Sequence, residues 1–154
     1  MSDNKLEILN KIDAKIETRI LGYSTHKSEG LFEILEDVVY QGDTEALKAL
    51  VDAGMDVNLQ NRYGWTPLHI AIRRNHRDMV EYLLDNGADI NCADAVGWTP
   101  LMESIMDNMP ELCALLVKRG ADKNITNQRG ATAMMLAKKF DRREMFQFLE
   151  KYNS

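Results

Sequence analysis

Sliding the sequence by 33 residues lays it over itself, and no other feature restricts the fold as tightly. Gly54, Gly87 and Gly120 fall in register. So do Gly64, Gly97 and Gly130, Asn58, Asn91 and Asn124, and Asp56, Asp89 and Asp122. Thr66-Pro67-Leu68-His69 recurs as Thr99-Pro100-Leu101-Met102 and, degraded, as Thr132-Ala133-Met134-Met135, each starting two residues after the second glycine. A period of this length marks one supersecondary unit that cannot bury its own apolar face, so neighbouring units must stack into a continuous core.

The residue order within a period predicts a pair of antiparallel helices. Thr66 and Thr99 are suitable N-caps, and Pro67 and Pro100 occupy the first helical position, where a missing N–H costs nothing. Leu68, Ala71 and Ile72 follow helical spacing, and Arg73-Arg74-Asn75-His76 interrupts the pattern before Met79-Val80-Tyr82-Leu83-Leu84 resumes it. Pro110 opens the second helix of the third unit in the same way. Gly87 stands where the second helix must stop. Between Gly87 and Thr99, turn-forming residues such as Asp89, Asn91, Asp94 and Gly97 predict a hairpin-like connection to the next unit.

The run Gly64-Trp65-Thr66-Pro67-Leu68-His69-Ile70-Ala71, followed by Leu83-Leu84-Asp85-Asn86-Gly87-Ala88-Asp89-Ile90-Asn91, resembles an ankyrin repeat. The resemblance covers about residues 31–152, in units of about 31–63, 64–96, 97–129 and 130–154. The middle two units are nearest the family pattern. In the first, Glu33-Ile34-Leu35-Glu36 replaces the Thr-Pro-Leu-His motif, while Val51-Asp52-Ala53-Gly54-Met55-Asp56-Val57-Asn58 keeps the register. The fold expected is therefore all-α, an ankyrin-repeat α-solenoid of paired helices joined by hairpin-like loops. The resemblance further implies that His69 braces neighbouring turn backbone through hydrogen bonds.

Terminal units of a stack need an outer face that is polar or covered. Lys138, Lys139, Arg142, Arg143, Glu150 and Lys151 supply a polar face to the last unit. At the other end Leu6, Leu9, Ile12, Ile16 and Ile20 recur every three or four residues, which predicts an amphipathic capping helix over about residues 4–21. The same helix could instead bind a partner or mediate self-association. Residues 22–30 read as a linker, making 1–30 a cap and linker ahead of a repeat domain over 31–154.

The composition argues against most chemistry. Of 154 residues, 19 are Lys or Arg and 24 are Asp or Glu, a formal charge of -5 that disfavours nucleic acid and anionic lipid as partners. No apolar run approaches the roughly 20 residues that span a bilayer, so no membrane association is expected. Cys92 and Cys113 are too few for a disulfide scaffold and have no partner pair for zinc, which points to the cytoplasm and to no metal. Asp85, Asp89, Asn91 and Asp94 loosely resemble a calcium loop, but its central glycine and closing glutamate are missing. No phosphate-cradling glycine loop, serine elbow or histidine–glutamate zinc motif occurs, so neither a cofactor nor an enzyme is expected.

Function then falls to a surface. The resemblance implies a concave face on which hairpin tips and the exposed ends of the first helices meet another protein. By register those positions are Arg62, Tyr63 and Trp65, then Val96 and Trp98, then Arg129 at the tips, with Tyr40, Arg73, Arg74, Met106, Asp107 and Phe140 on the helices. Aromatics, arginines and methionine are enriched where protein interfaces hold their binding energy. For Trp65 and Trp98, packing along neighbouring hairpins and contact with a partner both stand as readings. Residues 31–63 carry two basic and seven acidic side chains, a balance that would steer a partner with a basic surface. The reading is a non-catalytic regulator or inhibitor of one protein, monomeric unless the N-terminal helix self-associates. The alternatives are a nucleic-acid-associated protein using Arg62, Arg73, Arg74 and Arg129, and a homo-oligomer.

Overall fold

The computed structural model describes residues 7–17 and 30–152. Four helix pairs follow one another: α1 (Leu31–Gln41) with α2 (Thr44–Asp52), α3 (Pro67–Arg73) with α4 (Arg77–Asp85), α5 (Pro100–Met106) with α6 (Pro110–Lys118), and α7 (Ala133–Lys139) with α8 (Arg143–Lys151). The first helices of successive pairs pack on one another in the order α1, α3, α5, α7, and each also packs on its own second helix. This is the all-α ankyrin-repeat solenoid expected from the sequence, with no strand among the described residues.

Local chemistry sets the helix starts. Thr66, Thr99 and Thr132 are extended N-caps whose hydroxyls accept the N–H groups of His69, Met102 and Met135, and Pro67 and Pro100 stand at the first helical turn. Where the motif is absent, α1 begins after Gly30 without a side-chain cap. Between the paired helices Asn75, Asn108 and Asp141 adopt φ of 55°, 56° and 53°, a left-handed turn that short polar side chains tolerate better than other L-residues.

Side chains from one unit close the helix ends of another. His76 Nε2 donates to the Tyr40 carbonyl at 3.2 Å, and Arg142 donates to the carbonyls of Ile105 and Met106 at 3.1 and 2.9 Å, so orphan acceptors at the ends of α1 and α5 are satisfied by the following unit. Lys123 does the same for α8, donating to Leu149 and Tyr152 carbonyls at 2.9 and 2.8 Å. His69 follows the expectation that it braces turn backbone. Its Nε2 donates to the Trp98 carbonyl at 3.1 Å, which leaves Nδ1 to accept from Thr66 N–H and Oγ1 at 3.2 and 2.9 Å. Burial pulls its pKa down, favouring the neutral ring that this pattern requires.

A single core runs the length of the stack, through Leu35, Leu50, Leu68, Ile72, Leu83, Leu101, Ile105, Leu116, Leu136 and Leu149. The loops between pairs end in tight tips that also stack: Ala95 N–H donates to Tyr63 O at 2.9 Å, and Gln128 N–H to Val96 O at 3.1 Å. Two glycines make this approach possible. A Cβ at Gly64 would lie 2.6 Å from Ala95 N, and one at Gly97 would lie 2.9 Å from Asn127 Cα, while both residues hold positive φ.

The N-terminal segment departs from expectation. Instead of one helix over 4–21, residues 7–9 and 14–17 are helical with a turn between them. The Asp13 carboxylate accepts the Lys15 N–H at 2.9 Å, a local bond that competes with continuous helix at the break. Ile8, Leu9 and Ile12 are buried in the common core and Ile16 packs against it, so Ile8 joins the apolar face. Leu6, Ile20 and linker residues 22–29 lie outside the described residues.

Candidate functional site

The ends of the first helices and the loop tips share one face, and on it arginines lie on aromatic rings. Trp65 precedes the Thr66 cap, and its backbone N–H donates to Asn61 Oδ1 at 3.0 Å, which fixes the chain at the base of the first tip. The Arg73 guanidinium, at the end of α3, sits 4.4 Å from the Trp65 ring centroid. Arg74 lies 4.2 Å from the Tyr40 ring and Arg62 lies 4.7 Å from Tyr63, whose ring is 5.7 Å from that of Trp65. Stacking of this kind holds a cation while leaving its N–H edge open to a ligand.

Three adjoining grooves surround this cluster, and Trp65 lines all of them. The first, of about 480 Å³, is bounded by Glu36, Tyr40, Ile70, Arg73, Arg74 and Asp107. A second, of about 300 Å³, lies between Arg62, Tyr63, Asp94, Ala95 and Val96 at the tips. The third, of about 530 Å³, runs past Phe32, Glu33, Glu36 and Arg62. Tyr40, Tyr63 and Val96 are 48%, 50% and 51% exposed, a high value for large apolar side chains.

Acids are threaded among the arginines. Glu103, buried on α5, meets Arg73 Nε at 3.1 Å. Burial pushes its carboxyl up to about 7; Arg73 opposes this, and Asp107 and Asp94 add to it. Glu36 is also raised, by burial first and then by Asp37 and Glu33. The face is therefore a mosaic of both signs and not a uniformly basic surface.

Of the residues picked from sequence, Tyr40, Arg62, Tyr63, Trp65, Arg73, Arg74, Val96 and Asp107 are gathered around these grooves. Trp98, Met106, Arg129 and Phe140 line none of the three. Trp98 packs against the core, as does half-buried Phe140 beneath Lys139, while Met106 and Arg129 are exposed elsewhere on the stack. Sequence reasoning passed over Phe32, Glu36 and Glu103. A signal existed for Glu103, because its counterparts one period away are Ile70 and Leu136. Among the described residues, no group of three or more His, Cys, Asp or Glu could hold a metal ion, and no helix is long and apolar enough to cross a membrane.

Two sequence models of ankyrin repeats match, one described as many copies over residues 50–102 and one as three copies over residues 90–154. The chain belongs to the ankyrin repeat family. This ankyrin repeat chain is 35% identical over 74 residues to protein phosphatase 1 regulatory subunit 27 of Homo sapiens, covering 48% of this chain and 47% of that protein. It is 46% identical over 48 residues to the Notch-regulated ankyrin repeat-containing protein of Homo sapiens, covering 31% of this chain and 42% of that one. Ankyrin repeat domain-containing protein 40 of Mus musculus is 45% identical over 51 residues, 32% of this chain and 14% of its own length. The chain thus spans less than half the length of each of these relatives. Ankyrin repeats are protein-interaction modules, and family members of this kind are typically non-catalytic.

Proposed function

We propose that the chain regulates one protein by binding it through the face centred on Trp65. The observation that carries this reading is the convergence of three half-exposed apolar side chains and three ring-stacked arginines on adjoining grooves that the core does not require. Large aromatics and arginines in such clusters supply binding energy to protein interfaces. A relative named as a phosphatase regulatory subunit supports a regulatory role over a catalytic one. The acids Glu33, Glu36 and Asp37 on α1 would steer a partner with a basic surface toward this face. Free Cys92 and Cys113 fit a reducing compartment such as the cytoplasm.

The test replaces Tyr40, Tyr63 and Val96 together by glutamate. All three are exposed, so the circular dichroism spectrum and melting temperature should stay close to those of the parent. A protein retained by the immobilised parent from its source cells should be lost to the triple variant. Equal retention would place the binding surface elsewhere.

A further inference from the structure

Helix α5 buries Glu103 at a position that the neighbouring units fill with Ile70 and Leu136. Stacking calls for an apolar side chain there, since a buried carboxylate is costly without a partner. The partner comes from the preceding unit: Arg73 Nε stands 3.1 Å from the carboxylate, and the same guanidinium lies 4.4 Å from the Trp65 ring centroid. Arg62 and Arg74 also stack on rings but have no ion pair among the described residues. Arg73 is thus the one of these three that is fixed both by a ring and by a carboxylate. Trp65 lines every groove of the site and Arg73 shares the first of them, lying on the indole there, so where Arg73 rests sets how much of the ring that groove exposes.

We propose that Glu103 is a positioning residue of this face, whose negative charge holds Arg73 on Trp65 and whose neutralisation releases the guanidinium and uncovers the indole. Its bearing on recognition rests on the reading of this face as the binding surface. The charged groups facing the carboxyl are Arg73 from α3, Asp94 from the tip loop and Asp107 from the end of α5. The helix on the other side, α7, carries Lys138 and Lys139 exposed in its last turn. Burial, opposed by the Arg73 guanidinium and reinforced by Asp107 and Asp94, places the change of charge in the neutral range. A fall in pH through that range therefore acts on the latch and leaves the apolar frame of the stack in place.

The test uses the whole chain carrying Trp98→Phe, so that Trp65 is the only tryptophan. Quenching of its fluorescence by acrylamide, followed from pH 5.5 to 8.5, should increase as pH falls, with a midpoint near 7. Glu103→Gln should abolish that titration and hold the quenching at the low-pH level. Glu103→Asp should keep a titration with a displaced midpoint, which mere loss of packing would not give. A flat profile in the parent, or the same midpoint in Glu103→Gln, overturns the proposal. Should Glu103→Gln fail to fold, 13C NMR of the parent decides: a Glu103 carboxyl titrating near 7 supports the latch, and one near 4.5 overturns it. These readouts need no partner, so their failure is separable from failure of the binding face, which the capture experiment reports.

Discussion

Replacing Gly97 and Gly87 by alanine, one at a time, separates the cost of a left-handed backbone from the cost of breaking the stack. Both glycines have positive φ, 83° and 90°, so alanine at either pays the left-handed penalty of roughly 1–2 kcal/mol. At Gly87 the new Cβ meets nothing within 4 Å. At Gly97 it would lie 2.9 Å from Asn127 Cα and 3.0 Å from Gln128 N, both backbone atoms of the next tip. That tip must withdraw, and two bonds go with it: Gln128 N–H to Val96 O at 3.1 Å and Gln128 Nε2 to Ala95 O at 2.8 Å. At about 1 kcal/mol per hydrogen bond, Gly97→Ala should cost about 3–4 kcal/mol. For a chain of this size 1 kcal/mol corresponds to roughly 2–4 °C, so melting should fall by about 10 °C for Gly97→Ala and about 4 °C for Gly87→Ala. Thermal and urea denaturation followed by circular dichroism measure both. Equal losses in the two variants would refute the account of stacked tips.

Three further expectations follow from buried or cross-unit groups. Glu103 has a folded pKa of about 7 against 4.5 for a free carboxyl, so the folded chain takes up its proton first; the penalty for its charge is absent below 4.5, grows as pH rises and is complete above 7, at about 3 kcal/mol. Glu103→Gln should therefore gain stability over the parent as pH is raised from 4.5 to 8, and a pH-independent difference in urea midpoint would contradict this. Cys113 is buried with its thiol pushed up to about 11, whereas Cys92 is half-buried, so iodoacetamide should modify Cys92 alone in the folded chain; modification of Cys113 without unfolding would count against its burial. Arg142→Ala removes two bonds to the end of α5 and should cost about 1–2 kcal/mol, while Arg143→Ala, an exposed pair with Asp141, should leave the melting temperature unchanged.

The parts of the fold legible in the sequence are those decided locally. Thr66 and Pro67 specify a helix start within four residues, and the 33-residue register then carries that start to Thr99 and Thr132. What escaped depends on partners distant in sequence or on competition between local bonds. Periodicity alone extends the N-terminal helix through Asp13, because it takes no account of a carboxylate that bonds its own backbone instead. Nothing local to Lys123 marks it as the residue that closes the end of α8, whose carbonyls lie 26 and 29 residues further along. For the site, register put Tyr40, Trp65 and Arg73 on one face, since each stands at a fixed place in its unit. Register could not separate Phe140 from them, because what differs there is the packing of its ring on the core. The Arg73–Glu103 pair spans two units, and neither residue announces the other.

Hydroxyl-radical footprinting of the chain bound to the protein it captures, read residue by residue by mass spectrometry, tests most directly whether the Trp65 face is the binding surface. Tyr40, Tyr63 and Trp65 should become protected in the complex while Tyr82 on α4 and Phe146 on α8 oxidise as in the free chain. Protection of Tyr82 and Phe146 with unchanged oxidation of Trp65 would contradict it.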